Sequence, residues 1–181
     1  MTSVFEEFGI DPRPDAELSR EAIIERNLRV VDLHFHNENP DSVEKAVALY
    51  ADDVIWEAPS RGIVMKDAAE VLAAYRDIFR VIEYQKAISL RRFATENFVF
   101  DDQVVYARVA GDPALMPNIP YPQGTEMCVR LVHCFELTDG RIAREIAYEV
   151  WRKAGDVNAH DDIPEGSAVE IFADMPVLTA D

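Results

Sequence analysis

His133, Glu145 and Glu149 are the residues whose types and spacing could move protons. They fall in two long runs, Glu126 to Leu137 and Arg141 to Lys153, joined at Asp139-Gly140. That dipeptide between apolar runs is a strong signal for a β-hairpin. Strand side chains repeat every second residue, so Val129, Leu131, His133 and Phe135 share one face. Glu145, Ala147, Glu149 and Trp151 share a face of the next strand. An imidazole titrates near neutrality, and a carboxylate beside it can orient the ring and stabilise the imidazolium. A glutamate buried against a tryptophan has its pKa raised by desolvation and can serve as acid or base. The opposite face, with Ile142, Ile146, Tyr148 and Val150, is more apolar, and the simplest burial rule would turn it inward. Both orientations stay open on the sequence, as does a structural role for His133.

The elements that must position these groups begin with a helix predicted from about Glu17 to His36. Ile24, Leu28, Val31 and Phe35 form its apolar stripe, with Asn27, Asp32 and His34 on the margins. His34 and His36 are two apart, so on a helix they point in different directions, and no metal site is expected. Next, Asp41 and Glu44 make a capping pattern for a helix carrying Val43, Ala46, Val47 and Tyr50. Val54 to Ala58 reads as a short strand stopped by Pro59, and it carries Trp56. Asp67 and Glu70 repeat the capping pattern before Val71, Tyr75, Ile78 and Ile82. Tyr50 and Trp56 fit a core or a cavity wall, where a tyrosine hydroxyl could donate a hydrogen bond. Two strands are expected at 87–100 and 103–110, separated by Asp101-Asp102. Arg108 on the second could clamp an anion or a hydroxyl. Residues 111–124 hold four prolines with Leu115, Met116, Ile119 and Tyr121, a loop suited to a lid or a subunit contact.

A formal net charge of −16 argues against nucleic acid and anionic membrane surfaces as partners. Cys128 and Cys134 fit neither a metal site nor a disulfide framework. The first residues carry acids rather than a basic, apolar leader, so a reduced cytoplasmic protein is expected. The organisation reads as an arm (1–16), a domain (17–153) and an acidic extension (154–181), in which Val169, Ile171 and Phe172 could dock on the body. Helices first and long strands after them make an α+β plan, with strands curving around helices to leave a cavity.

With these residues the plan resembles the SnoaL-like branch of the nuclear transport factor 2-like superfamily. The resemblance rests on Leu49-Tyr50-Ala51-Asp52-Asp53-Val54, on Trp56-Glu57-Ala58-Pro59, and on Phe135 to Ile142 followed by Tyr148. It implies a cone-shaped fold with three N-terminal helices packed on a curved antiparallel sheet around a pocket. Relatives include ketosteroid isomerases, epoxide hydrolases, polyketide cyclases, scytalone-type dehydratases and cofactor-free aromatic lyases, besides pure binding modules. The isomerase base, an Asp before the strand proline, falls on Ala58. The hydrolases place an Asn there and an Asp on the last strand, which falls on Ala147. The cyclases pair that Asp with a His matched by His133. If Ala58 and Ala147 face the pocket, then so do Trp56, Glu145, Glu149 and Trp151. The resemblance thus implies a cofactor-free acid–base enzyme, a lyase or dehydratase or else an isomerase or cyclase, acting on a hydrophobic, hydroxylated aromatic or polycyclic molecule; with alanine at 58 and 147, a non-catalytic binding or assembly module is the alternative. His133 would be the acid–base group, Glu145 or Glu149 its partner and Tyr50 a donor. Trp56, Asp32, His34, Arg108, Ala58, Leu131, Ala147 and Trp151 would contact substrate. A homodimer or homotrimer is expected on the same ground.

Overall fold

The computed structural model describes residues 3–156. Val169, Ile171 and Phe172 of the extension lie outside the described residues. The helices are α1 (Val4–Phe8), α2 (Arg20–Asn37), α3 (Val43–Val47) and α4 (Ala68–Val81). The strands are β1 (Tyr50–Ala58), β2 (Ile63–Met65), β3 (Ile82–Ala94), β4 (Phe98–Val109), β5 (Glu126–Thr138) and β6 (Arg141–Val150). They form one sheet in the order β2-β1-β6-β5-β4-β3. The sheet is mixed rather than wholly antiparallel, because β1 runs parallel to β6. Register shifts in the β3–β4 and β5–β6 pairs help it curve around α2 and α4. This is the α+β, nuclear transport factor 2-like architecture. No helix among the described residues is long and apolar enough to cross a membrane.

Helix α2 starts at Ser19, whose hydroxyl accepts the Ala22 N–H at 3.2 Å. Its buried face is centred on Ile23, Asn27, Val30 and His34, while Ile24 and Leu28 stand half-buried beside it. The apolar-stripe rule misplaces the face because two polar residues on it are satisfied inside. Asn27 donates to the Glu96 carbonyl at 2.8 Å, and His34 meets the Ala46 carbonyl at 3.3 Å. The helix expected from Asp41 is shorter than its spacing implied. Asp41 does not cap it, and Tyr50 opens β1 instead of closing the helix. The second capping pattern forms: Asp67 accepts the Glu70 N–H at 2.8 Å and Glu70 accepts the Lys66 N–H at 2.9 Å. Of the arm, Ile10 enters the core, so that segment is not wholly peripheral.

The strand break expected at Asp101-Asp102 is absent. Strand β4 runs through both aspartates, and the turn lies at residues 95–97. Two adjacent acids read as a turn by composition, but each is buried against arginine here. Asp101, on the inner face, accepts from Arg92 Nε at 2.7 Å. Asp102, on the outer face, accepts from Arg91 at 3.0 Å and Arg130 at 2.7 Å. The β5–β6 hairpin turns at Asp139 and Gly140, both left-handed with φ of 50° and 73°, as a type I′ turn requires.

The proline-rich loop is anchored where Gly111 packs on the α4–β3 junction, its N–H on the Val81 carbonyl at 3.1 Å. A Cβ there would collide with the Arg80 carbonyl group. Gly111→Ala is therefore expected to destabilise the fold by about 1–3 kcal/mol, an overpacking cost. A urea midpoint equal to that of the parent would show that the junction yields freely.

Candidate active site

Between the inner face of the sheet and helices α2 and α4 lies a pocket of about 550 Å³, its mouth included. Its walls are apolar and aromatic, with Trp56, Tyr75, Tyr84, Met116, Leu131 and Trp151 among them. Five polar side chains reach it: Glu38, Arg61, His133, Glu145 and Glu149. Alternation on β6 turns Glu145, Ala147 and Glu149 inward, and β5 presents Leu131 and His133 beside them. The face with Tyr148 and Val150 is the exposed one, so the simple burial rule fails on β6.

Glu145 is the centre of the site and is buried. One carboxylate oxygen accepts a short hydrogen bond from the Tyr50 hydroxyl and lies 3.4 Å from His34 Nε2. The other lies 3.8 Å from His133 Nε2. The Tyr75 hydroxyl stands 3.1 Å from that of Tyr50 and 3.4 Å from His34 Nε2. The Ala46 carbonyl can only accept, so His34 Nδ1 carries the proton in that contact. With a carboxylate on Nε2 as well, the ring is held as imidazolium. Burial alone would lower the His34 pKa, but the hydrogen bond and charge of Glu145 outweigh it and raise the pKa above the ordinary value. Burial would likewise raise Glu145, but the charge and hydrogen bond of His34, with His133 and Tyr50, hold it below the ordinary carboxylate value. Burial and the Glu145 charge push the Tyr50 and Tyr75 hydroxyls up, so both stay protonated donors.

Glu38 presents a second carboxyl to the same pocket, its oxygen 3.8 Å from His34 Nε2. Burial raises its pKa to about 8, with the charges of Glu145 and Asp101 adding to the rise and His34 opposing it. The two carboxyls beside His34 are thus shifted in opposite directions, Glu145 towards the carboxylate and Glu38 towards the protonated acid. Environments that push two titratable groups apart in this way separate acid from base. His133 is neutral there: burial lowers its pKa, only partly opposed by Glu145 and Asp101. Its Nδ1 lies 3.5 Å from the Gln103 amide, and its ring stacks on Phe135 with centroids 5.8 Å apart.

Glu149 is differently placed. Arg61 Nε and Nη2 hold it at 2.9 and 3.0 Å, and Ser60 and Trp151 Nε1 each donate to it at 3.0 Å. Its oxygens are engaged by these donors, so it braces the pocket wall. Trp56, Leu131, Ala147 and Trp151 line the cavity as alternation implied. Tyr50 and His34 are not among the lining residues and reach the pocket by their contacts with Glu145. Ala58 is buried in the core. Asp32 faces away from the pocket, 3.5 Å from Arg92 and 3.4 Å from Arg29. Arg108 is not a clamp: its side chain is 44% exposed on the outer face and pairs with Glu83. Among the described residues, no three His, Cys, Asp or Glu side chains gather to hold a metal ion.

Sequence reasoning missed Glu38, Tyr75 as a polar group, and Arg61. Tyr75 lies on the predicted stripe of α4, where its hydroxyl had no visible partner. Arg61 follows Pro59 in a tight turn, a position that reads as surface.

The SnoaL-like domain family matches residues 30–145, more than half of the chain. A comparison with curated proteins finds no match. Among solved structures, a candidate polyketide cyclase from Xanthomonas campestris is similar, with a TM-score of 0.60 and 18% identity over 70% of this chain and 91% of that one. A candidate ketosteroid isomerase from Kribbella flavida gives 0.52 at 18% identity over 84% and 94%. An LEH-like epoxide hydrolase from M. tuberculosis gives 0.54 at 15% identity over 70% and 84%. These likenesses concern the fold. Fold, matched segment and pocket agree: the chain belongs to the SnoaL-like domain family.

Proposed function

We propose that the protein is a cofactor-independent acid–base enzyme, a lyase or dehydratase acting on a hydrophobic, hydroxylated aromatic or polycyclic molecule. One observation carries the reading: Glu38, His133 and Glu145 line one pocket, and the two carboxyls approach His34 at 3.8 and 3.4 Å, with the Glu38 pKa pushed up and the Glu145 pKa held down. In a dehydration, neutral His133 would take the proton from the carbon beside the one bearing the hydroxyl. Glu145 would stabilise the imidazolium formed. The electron pair of the broken C–H bond would make the double bond as the C–O bond breaks, and Glu38 would give its proton to the departing hydroxyl, releasing water. The same groups would serve a retro-aldol cleavage, with the base on the hydroxyl proton and the acid on the carbanion. Isomerisation and cyclisation draw on the same pair. The aromatic walls, with Arg61 neutralised by Glu149, suit an uncharged ring system.

Turnover should follow a bell-shaped pH profile. The acid limb lies below the ordinary histidine range, where His133 becomes protonated. The alkaline limb lies at about 8, where Glu38 loses its proton. Glu38→Gln should remove the alkaline limb along with most of the rate, and His133→Ala should cost about a hundredfold or more. Activity that shows neither limb in the parent, or full activity in both variants, would contradict the assignment.

We also propose that the protein works in the cytoplasm as a homodimer or homotrimer. The outer sheet face exposes Phe93, Tyr106, Tyr148 and Val150, an apolar surface that a second copy would cover. Light scattering should give a multiple of the chain mass, and Tyr148→Glu should reduce it. A monomer at micromolar concentration would refute this part.

A further inference from the structure

A second cavity lies against the first. It is formed by α4, β2 and the proline-rich loop, and encloses about 670 Å³ with its mouth. The two share Trp56, Arg61, Ile78 and Met116, so only these side chains stand between them. The inner pocket carries five polar groups, whereas this one is lined chiefly by Ile63, Met65, Ala74, Leu115 and Pro117. Its two charged residues are already occupied: Asp77 pairs with Arg80 and Arg61 with Glu149. Leu115 remains 44% exposed at its rim.

The partition is suited to movement at one point. Met116 is buried between the cavities at the end of the short 3-10 turn Pro113–Leu115. Its unbranched side chain has three rotatable bonds and can repack around a ligand. The loop that carries it is held by Asn118, left-handed at φ 57°, whose amide donates to the Arg61 carbonyl at 2.5 Å. The backbone is thus fastened, which leaves side-chain rotation as the way for Met116 to yield. The indole N–H of Trp56, on the same partition, is buried without a hydrogen-bond partner, so an acceptor on a ligand crossing this wall would satisfy it.

We propose that this outer cavity is a binding subsite for the apolar tail or terminal ring of the molecule whose hydroxylated end occupies the inner pocket. It rests on the acid–base reading for which end enters first, and it adds that the substrate is elongated, with a polar head and an apolar remainder. The ligand spans both cavities and turns the Met116 side chain aside.

The test uses calorimetric titration of the full chain with phenol and with 4-alkylphenols of increasing chain length. Affinity relative to phenol should rise about fourfold per added methylene, the increment for burying a CH₂, until the cavity is filled. Ala74→Phe and Leu115→Trp each fill the cavity from a different element, the second at an exposed position that folding tolerates. In both the chain-length increment should vanish, with phenol measured in the same variant as the reference. An increment that is absent in the parent, or that persists in both filled variants, overturns the subsite, as does failure of every phenol to bind. Tight binding with no chemistry on any compound would instead count against the acid–base reading while the chain-length ratios stand.

Discussion

Glu145→Gln is expected to reduce turnover about a thousandfold, within the range of positioned acid–base groups, and to leave the protein folded. Glutamine keeps the shape and still accepts from Tyr50, so the hydrogen-bonded floor survives. The negative charge that holds two histidines does not. Burial would then act on His34 without its main opponent, and the His34 pKa should fall from above the ordinary histidine value to below it. His133, already lowered by burial, loses the charge that would stabilise its imidazolium. Ring-nitrogen chemical shifts followed with pH test both statements without a substrate. An unmoved His34 titration would mean that Glu145 does not govern the site.

Arg92→Leu is expected to be the most destabilising single change, by about 3–5 kcal/mol, the cost of stranding one side of a buried ion pair. Arg92 is 1% exposed, bonds Asp101 at 2.7 Å and Asp32 at 3.5 Å, and lies over the Phe35 ring at 5.2 Å. Leucine would fill part of the space but strip Asp101 of its arginine, while Asp32 keeps Arg29 at 3.4 Å. The pH dependence has a definite sign. Burial already raises the Asp101 pKa despite Arg92, and without the arginine it rises further. A raised carboxyl keeps its proton in the folded state, so its favourable share is present at low pH and is lost as pH climbs through the folded value. The variant should therefore approach the parent in acid and fall furthest behind it near neutrality. Equal urea midpoints across pH would refute the buried-pair account.

Glu38 obeys the same sign rule. With a folded value of about 8 against an ordinary 4.5, its contribution is full below 4.5 and is lost as pH rises towards 8. A site that keeps one carboxyl protonated in a chain of net charge −16 does so at a cost to stability on the alkaline side.

The fold was legible where local signals agreed. Alternation on β5 and β6, the Asp139-Gly140 turn and the Asp67–Glu70 cap all reappear, and with them the inward placement of His133, Glu145, Ala147 and Trp151. What escaped depends on tertiary partners. Asp101 and Asp102 read as a turn because their arginines lie on other strands. That false break also hid the parity of Arg108, which an unbroken β4 turns outward. Glu38 follows Asn37 in a stretch that reads as a helix stop. Its approach to His34 depends on helix geometry, and its raised pKa on burial in the folded pocket, to which the Glu145 charge adds. Where the resemblance puts an acid at Ala147, this chain carries Glu145 two residues earlier on the same strand face.

The central claim is that this pocket does acid–base chemistry. It is tested most directly by incubating the parent protein and Glu145→Gln with a panel of hydroxylated aromatic and polycyclic compounds and following each compound by mass spectrometry. The account predicts that at least one loses water or splits into two fragments with the parent and survives intact with the variant. Compounds that bind the parent tightly and return unaltered would contradict it and mark the pocket as a carrier site.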